Sequence, residues 1–168
     1  MLREEMGVDP REIARRFFEE LWNGRRFELA AEIVSPDCVT HQLRSGDEPP
    51  AAAPRGPEAL VEHIRSWLEA FPDLHFTVEE SVSEGDRVVS WVAMRGTHLG
   101  PWLGVPPTGE PVAMRCAVMH RVTGGRIVED WALVESLGLF QQLGLVESRE
   151  TLLAETSTRR ATTVLSRS

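Results

Sequence analysis

The chain has 168 residues and a mass of 18.8 kDa, with 42% apolar and 26% charged residues, the profile of one soluble globular domain with enough chain to bury a core. Its 26 Asp and Glu outnumber 18 basic residues, for a net charge of −8, which argues against a surface built to neutralise nucleic-acid phosphates. All 18 basic residues are arginine and there is no tyrosine. Schiff-base and pyridoxal-phosphate attachment, a P-loop lysine and any mechanism that needs a phenol are therefore excluded.

The longest apolar runs fall far short of a membrane span. Met1-Leu2-Arg3-Glu4-Glu5 does not resemble a secretion signal. The two cysteines, Cys38 and Cys116, are far apart and lack CxxC spacing, so they read as small buried side chains rather than a disulfide or metal framework. A cytoplasmic protein with no membrane association is expected.

Taken in chain order, residues 10–23 predict an amphipathic helix with Ile13, Phe17, Phe18, Leu21 and Trp22 on one stripe. Asp9-Pro10 is its start signal and Asn23-Gly24 its stop. Residues 27–34 read as a second short helix, ended by Ser35-Pro36. Residues 44–56, rich in Pro, Ala and Gly, read as a loop. Pro57 opens a third helix through Phe71, with Leu60, Ile64, Leu68 and Phe71 at helical spacing. From Leu74 the hydrophobic period changes from 3.6 to 2. Strands are expected at 74–84 and 87–97 around Gly85-Asp86, and at 111–123 and 126–134 around Gly124-Gly125. A short helix, 136–143, stops at Gly144. The segment 148–168 holds nine Ser or Thr among 21 residues and reads as a weakly ordered extension of a domain spanning 1–147. Helices first and antiparallel strands after give an α+β fold, with helices packed on one face of a curved sheet that forms a cone with an interior.

A two-residue turn sets register, and register decides which side chains share a face. An unbroken count from Gly124-Gly125 pairs Thr123 with Arg126, His120 with Glu129, Val118 with Trp131, Cys116 with Leu133 and Met114 with Glu135. This mostly apolar face suits a small-molecule pocket, and the opposite face, with Arg115, Arg121 and Asp130, looks solvent-adapted. Glu135, enclosed by Trp131, Met114 and Leu133, would lose hydration and become a candidate general acid or base; alternatively it only precedes the last helix. His120 and Glu129 form either a catalytic dyad or a structural pair at the rim. The same count in the first hairpin puts Phe76, Val78, Val82, Val89, Trp91 and Ala93 on one face with Glu80 and Arg95. His63 and His75 look like surface positions, and no histidine spacing suggests a metal. The loop 99–110 carries Trp102, Leu103 and Val105, so it either covers the mouth of the cone or packs in a subunit interface.

Several motifs resemble a known family. Arg95-Gly96-Thr97-His98-Leu99-Gly100 with Gly104-Val105-Pro106-Pro107-Thr108-Gly109 resembles its GTHxG…GxPPTG stretch. Gly125-Arg126-Ile127-Val128-Glu129-Asp130-Trp131 followed by Leu139-Phe140-Gln141-Gln142-Leu143-Gly144 resembles its GRIxExW…LLxQLG ending. Phe71-Pro72-Asp73-Leu74 and Gly85-Asp86-Arg87-Val88 resemble its PDL and GDRV elements. Together, over about residues 10–146, they resemble the SnoaL-like polyketide cyclases (ester cyclases) of the NTF2-like superfamily. The resemblance implies an NTF2-like cone-shaped barrel, a homodimer or homotetramer packed through the outer sheet face, and chemistry with no cofactor and no metal. It implies that the acid–base residue of an intramolecular aldol closure sits four residues after the tryptophan, where this chain has Glu135 in place of aspartate. Glutamate there moves the carboxyl by roughly one bond, a displacement that matters for rate, or suits an epoxide-opening closure instead. The resemblance also implies that His41 and His98 line the pocket.

The functional expectation is a cyclase acting on a polyketide or related intermediate. Glu135, His98 and His120 would carry proton transfer. His41, Trp131, Trp102, Trp91, Met114, Val118, Leu133 and Glu129 would bind a small hydrophobic or aromatic substrate. The alternatives are a non-catalytic binder of hydrophobic small molecules, or an isomerase or hydrolase of the same fold, which the lack of tyrosine disfavours.

Overall fold

The protein is described by a computed structural model covering residues 8–41, 54–147, 150, 151 and 153. The Asp9 carboxylate caps the first helix by accepting the Arg11 backbone N–H at 2.9 Å, and Pro10 sits in the first turn, where a missing N–H costs nothing. Helix α1 (Pro10–Arg16) runs directly into a π-helical segment, Phe17–Asn23. Its i→i+5 hydrogen bonds, such as Gly24 N–H to the Glu19 carbonyl at 3.0 Å, enlarge each turn by one residue. Phe17, Phe18, Leu21 and Trp22 all reach the interior from this wide turn. Asn23 then ties the helix end to the sheet: its Nδ2 donates to the Phe76 carbonyl at 2.8 Å and its Oδ1 accepts the Phe76 N–H at 2.9 Å.

A 3-10 turn (Phe27–Leu29) and helix α2 (Ala30–Ile33) follow. Val34–Thr40 is strand β1, where the sequence reading ends its second helix at Val34 and assigns no element to the residues after it. Helix α3 (Gly56–Ala70) buries Leu60 and Ile64. Strands β2 (His75–Glu84), β3 (Arg87–Thr97), β4 (Pro111–Thr123) and β5 (Arg126–Val134) and helix α4 (Ser136–Gln142) fall within a residue of their predicted bounds. The turns at Gly85 and at Gly124-Gly125 need φ of 57°, 58° and 74°, angles that glycine adopts without a steric penalty. The expected loop at 44–56 lies mostly, and the expected extension at 148–168 almost wholly, outside the described residues.

The five strands form one curved sheet in the order β1-β5-β4-β3-β2, antiparallel except for the parallel β1–β5 pair. It does not close: β1 and β2 are its edges. The helices pack on its inner face, where Val92, Met94, Val112, Met114, Cys116 and Val118 meet Phe18, Leu21, Leu60 and Ile64. The Gln142 side chain fixes α4 to β4 by exchanging two hydrogen bonds with the Ala113 backbone, at 2.8 and 2.9 Å.

The loop after β3 is folded back on α3. The Leu99 and Gly100 N–H groups both donate to the Ala70 carbonyl, at 2.9 and 3.0 Å. The approach is so close that a Cβ on Gly100 would lie 1.9 Å from the Glu69 carbonyl oxygen. Since backbone cannot move aside as a side chain does, Gly100→Ala is expected to destabilise the fold by at least about 2 kcal/mol, measured as a lowered urea midpoint. An unchanged midpoint would contradict this packing.

Candidate active site

Both hairpins contain one residue more than the unbroken count allows. In the β4–β5 pair, Val122 faces Ile127 but Arg121 faces Glu129, leaving Val128 as a bulge. Every later residue of β5 therefore changes face. His120 pairs with Asp130, Val118 with Ala132 and Cys116 with Val134. In the β2–β3 pair, Glu79 is the extra residue, so Phe76 faces Met94 and Val78 faces Val92, while Glu80 faces Trp91.

These bulges correct several sequence-based placements. Asp130, expected on the solvent-adapted face, is 1% exposed. Glu135 is exposed at the N-terminus of α4, beside Leu133, Leu137 and Arg115 on the outer face, so it is not the enclosed carboxylate the count requires. Glu129 bonds Arg121 Nε at 2.8 Å rather than facing His120. Leu133 is 77% exposed and Trp91 is 47% exposed, both turned outward. Trp131, also outward by register, stacks on His41 with ring centroids 4.4 Å apart and an 8° interplanar angle. Trp102 packs with Trp67, Phe71 and Phe140 and does not line the cavity described below. His98 is a loop brace: its Nδ1 accepts the Thr108 N–H at 3.3 Å and lies 3.1 Å from the Thr108 hydroxyl. Met114 is buried on the inner face outside the cavity wall, whereas Val118 lines it.

The cavity lies between the helices and the inner sheet face and has a volume of about 170 Å³. Phe17, Phe18 and Trp22 of the π segment, His63 and Trp67 of α3, and Phe76 of β2 form the aromatic side; Cys116, Val118, Asp130, Ala132 and Val134 form much of the sheet side. An apolar void of about 150 Å³ takes up one benzene ring, so this one has room for about one ring. His63, read as a surface residue, is half-buried in the wall.

Asp130, in the cavity wall, and His120, beside it but not part of that wall, are the polar centre. His120 Nε2 lies 3.4 Å from Asp130 Oδ1, and the two side chains are 0% and 2% exposed. Among the described residues, neither imidazole nitrogen and neither carboxylate oxygen has a hydrogen-bond partner, although buried polar groups ordinarily do. Phe17 packs edge-on against the imidazole at 4.5 Å and limits its rotation. The Asp130 charge reaches groups on three other elements. Burial pushes the Cys38 and Cys116 thiols up to about 12, and Asp130 adds to the rise at both. Burial lowers the proton affinity of His63, against the pull of the same carboxylate. The arrangement can remove a proton from a bound molecule in an apolar setting and return it nearby. Among the described residues no cluster of three His, Cys, Asp or Glu side chains could hold a metal ion, and no helix is long and apolar enough to cross a membrane.

Sequence reasoning missed Asp130, His63, Trp22, Trp67 and Cys116 as site residues. Two signals were present. Ile127-Val128 is an apolar doublet that breaks strand alternation, as a bulge does, and His63 and Trp67 sit four apart, flanking the stripe of α3.

Helices over an open, curved sheet with an apolar cavity between the layers define an NTF2-like α+β cone. Within that class the chain belongs to the SnoaL-like polyketide cyclases, whose family model matches residues 12–143. Aklanonic acid methyl ester cyclase DnrD of Streptomyces peucetius is 28% identical over 141 residues, covering 79% of this chain and 89% of that protein. IdmH of Streptomyces antibioticus, a candidate polyketide cyclase, is similar in structure with a TM-score of 0.69 and 34% identity over 82% of this chain and 99% of its own. AclR of Streptomyces galilaeus, a candidate hydroxylase, shares the fold at a TM-score of 0.71 and 23% identity, over 94% of this chain and 95% of its own.

The thiol is the unreactive form of cysteine, and raised values of about 12 keep Cys38 and Cys116 protonated at pH 8. Neither is expected to react with a thiol-specific disulfide reagent in the native protein, and both should react after unfolding in guanidinium. Fast native labelling of Cys116 would show that the cavity wall is far more hydrated than this burial implies.

Proposed function

We propose that the protein is a cofactor-independent cyclase that closes a ring in a polyketide-derived intermediate by an intramolecular aldol step. The observation that carries this reading is the buried Asp130 carboxylate in the wall of an aromatic cavity, 3.4 Å from His120, with no hydrogen bond to either side chain among the described residues. The 28% identity to a cyclase of aklanonic acid methyl ester supports it.

In this mechanism Asp130 accepts a proton from a carbon flanked by carbonyl groups, and the C–H electron pair becomes the enolate. The enolate carbon attacks a second carbonyl carbon of the same molecule. One C–C bond forms, and the π pair of that carbonyl passes to its oxygen. Asp130, with His120 beside it at 3.4 Å, then gives the proton to the new alkoxide, which becomes a hydroxyl. The proton taken from carbon ends on oxygen, so the step is an isomerisation that consumes no co-reactant. Positioned acid–base groups contribute about 10²- to 10⁴-fold each, and the mostly apolar lining of the cavity offers water few hydrogen-bond partners.

With aklanonic acid methyl ester as the probe, Asp130→Asn is expected to lower ring closure by about 10²- to 10⁴-fold, whereas Glu135→Gln stays within about twofold, as for an exposed position. The reverse ranking would remove Asp130 from the mechanism and return the acid–base role to Glu135.

We also infer that the protein is a homodimer through its outer sheet face. Trp91, Ala117 and Leu133 lie side by side across three strands, with Leu137 exposed beside Leu133, and exposed apolar patches mark association surfaces. Light scattering should give twice 18.8 kDa, falling to one copy in Leu133→Glu. A monomeric wild type would overturn the inference.

A further inference from the structure

We propose that His63 is a second catalytic side chain of this site, donating a hydrogen bond to the carbonyl oxygen on which the enolate charge develops. The proposal rests on the aldol reading above, because only enolate formation needs a donor at that oxygen.

Forming an enolate makes demands at two atoms. A base must reach the carbon that loses its proton, and a donor must reach the oxygen, two bonds away, that gains the charge. Asp130 and His120 form a single cluster on the sheet side and meet the first demand. His63 lines the same cavity from α3, on the helical side. Asp130 and His63 both line this one cavity, so both groups belong to one site. A ring held between the two layers would present its acidic carbon to one wall and its oxygen to the other.

The surroundings of His63 suit this role. Trp22 and Trp67 flank its ring, with centroids 6.3 and 6.4 Å away at interplanar angles of 89° and 78°, so the imidazole has limited freedom to turn. Most of the remaining wall is hydrocarbon or aromatic, and a donor in such a setting is worth more than one in water. Burial favours the uncharged imidazole, a form that carries one N–H and one acceptor nitrogen. A neutral imidazole is a competent hydrogen-bond donor to a developing enolate. Unlike the indole N–H groups beside it, imidazole also accepts a proton, so it can follow the charge in either direction.

The test is exchange of the methyl protons of 2-acetylnaphthalene in D₂O, followed by proton NMR with the full chain. This partial reaction forms and reverses the enolate with no ring closure. Wild type should accelerate exchange and Asp130→Asn should abolish the acceleration. His63→Phe should lower it by about 10²-fold, while His63→Gln, which keeps an N–H donor, recovers most of it. The probe's Kd, read from quenching of tryptophan fluorescence, should stay nearly unchanged in both. Where the phenylalanine variant does not fold by circular dichroism, His63→Asn, with a shorter reach, takes its place and should lose the rate that glutamine keeps. Full exchange in the phenylalanine variant with loss in Asp130→Asn overturns the His63 role and leaves the Asp130 role intact. A rate loss matched by an equal loss of probe affinity also overturns it, since His63 would then only bind. No acceleration by wild type, or full acceleration by Asp130→Asn, overturns the aldol reading and the His63 role with it.

Discussion

Val128 adds one residue to β5 between the Gly124-Gly125 turn and Asp130, and the site depends on that addition. Strand side chains alternate, so one extra residue exchanges the inner and outer sets for the rest of the strand. With the bulge, Asp130 is carried inward to face His120, and Glu129, Trp131, Leu133 and Glu135 are carried outward. The bulge at Glu79 acts in the same way on β2: it keeps Phe76 inward, against Met94 and in the cavity wall, while Val82 turns to the outer face. The cavity is thus a product of backbone geometry before it is a product of side-chain chemistry.

An ionisable pair in such a place runs against stability. A carboxylate taken out of water is costly unless it is paired and hydrogen-bonded, and the 3.4 Å approach to His120 supplies only part of what hydration would. Dense aromatic packing around the pair offsets this. Phe17 holds the imidazole, Phe18 lies behind it at 6.1 Å, and the π segment brings Trp22 against Phe76 at 4.7 Å. Natural proteins commonly depart from local rules where they function. Here four departures coincide around one cavity: a π turn, a bulge in each of the two hairpins, and a buried acid with no hydrogen bond among the described residues.

The elements were legible because each carried a local signal. Asp9-Pro10 opens a helix, Gly85-Asp86 and Gly124-Gly125 close hairpins, and the hydrophobic period changes at Leu74. Strand β1 carried no such signal. Its apolar residues are interrupted by Pro36 and Asp37, and its partner β5 lies about ninety positions on, a pairing that only the tertiary fold can show. The motif resemblance identified the family from short stretches spread over most of the domain, because glycine turns and loop prolines report backbone geometry directly. The same motifs pointed to Glu135 for the chemistry, and the backbone places that residue in water. Which carboxylate is buried depended on a one-residue register shift, which composition and propensity barely encode. The doublets Ile127-Val128 and Glu79-Glu80 were its visible trace. His63 was missed for a related reason: a narrow reading of the α3 stripe kept to Leu60, Ile64, Leu68 and Phe71, while a wider arc of that helix faces inward.

The wide helical turn at Phe17–Asn23 and the two bulges share a property that separates this pocket from an ordinary core. Each is one residue of surplus chain, so the aim of Trp22, Phe76 and Asp130 is set by residue count rather than residue identity. Exchanging one lining residue for another reshapes the wall locally. Removing or adding a single codon upstream of any of the three re-aims a whole stretch of it, so within this architecture insertions and deletions are the larger steps by which a pocket acquires a different substrate.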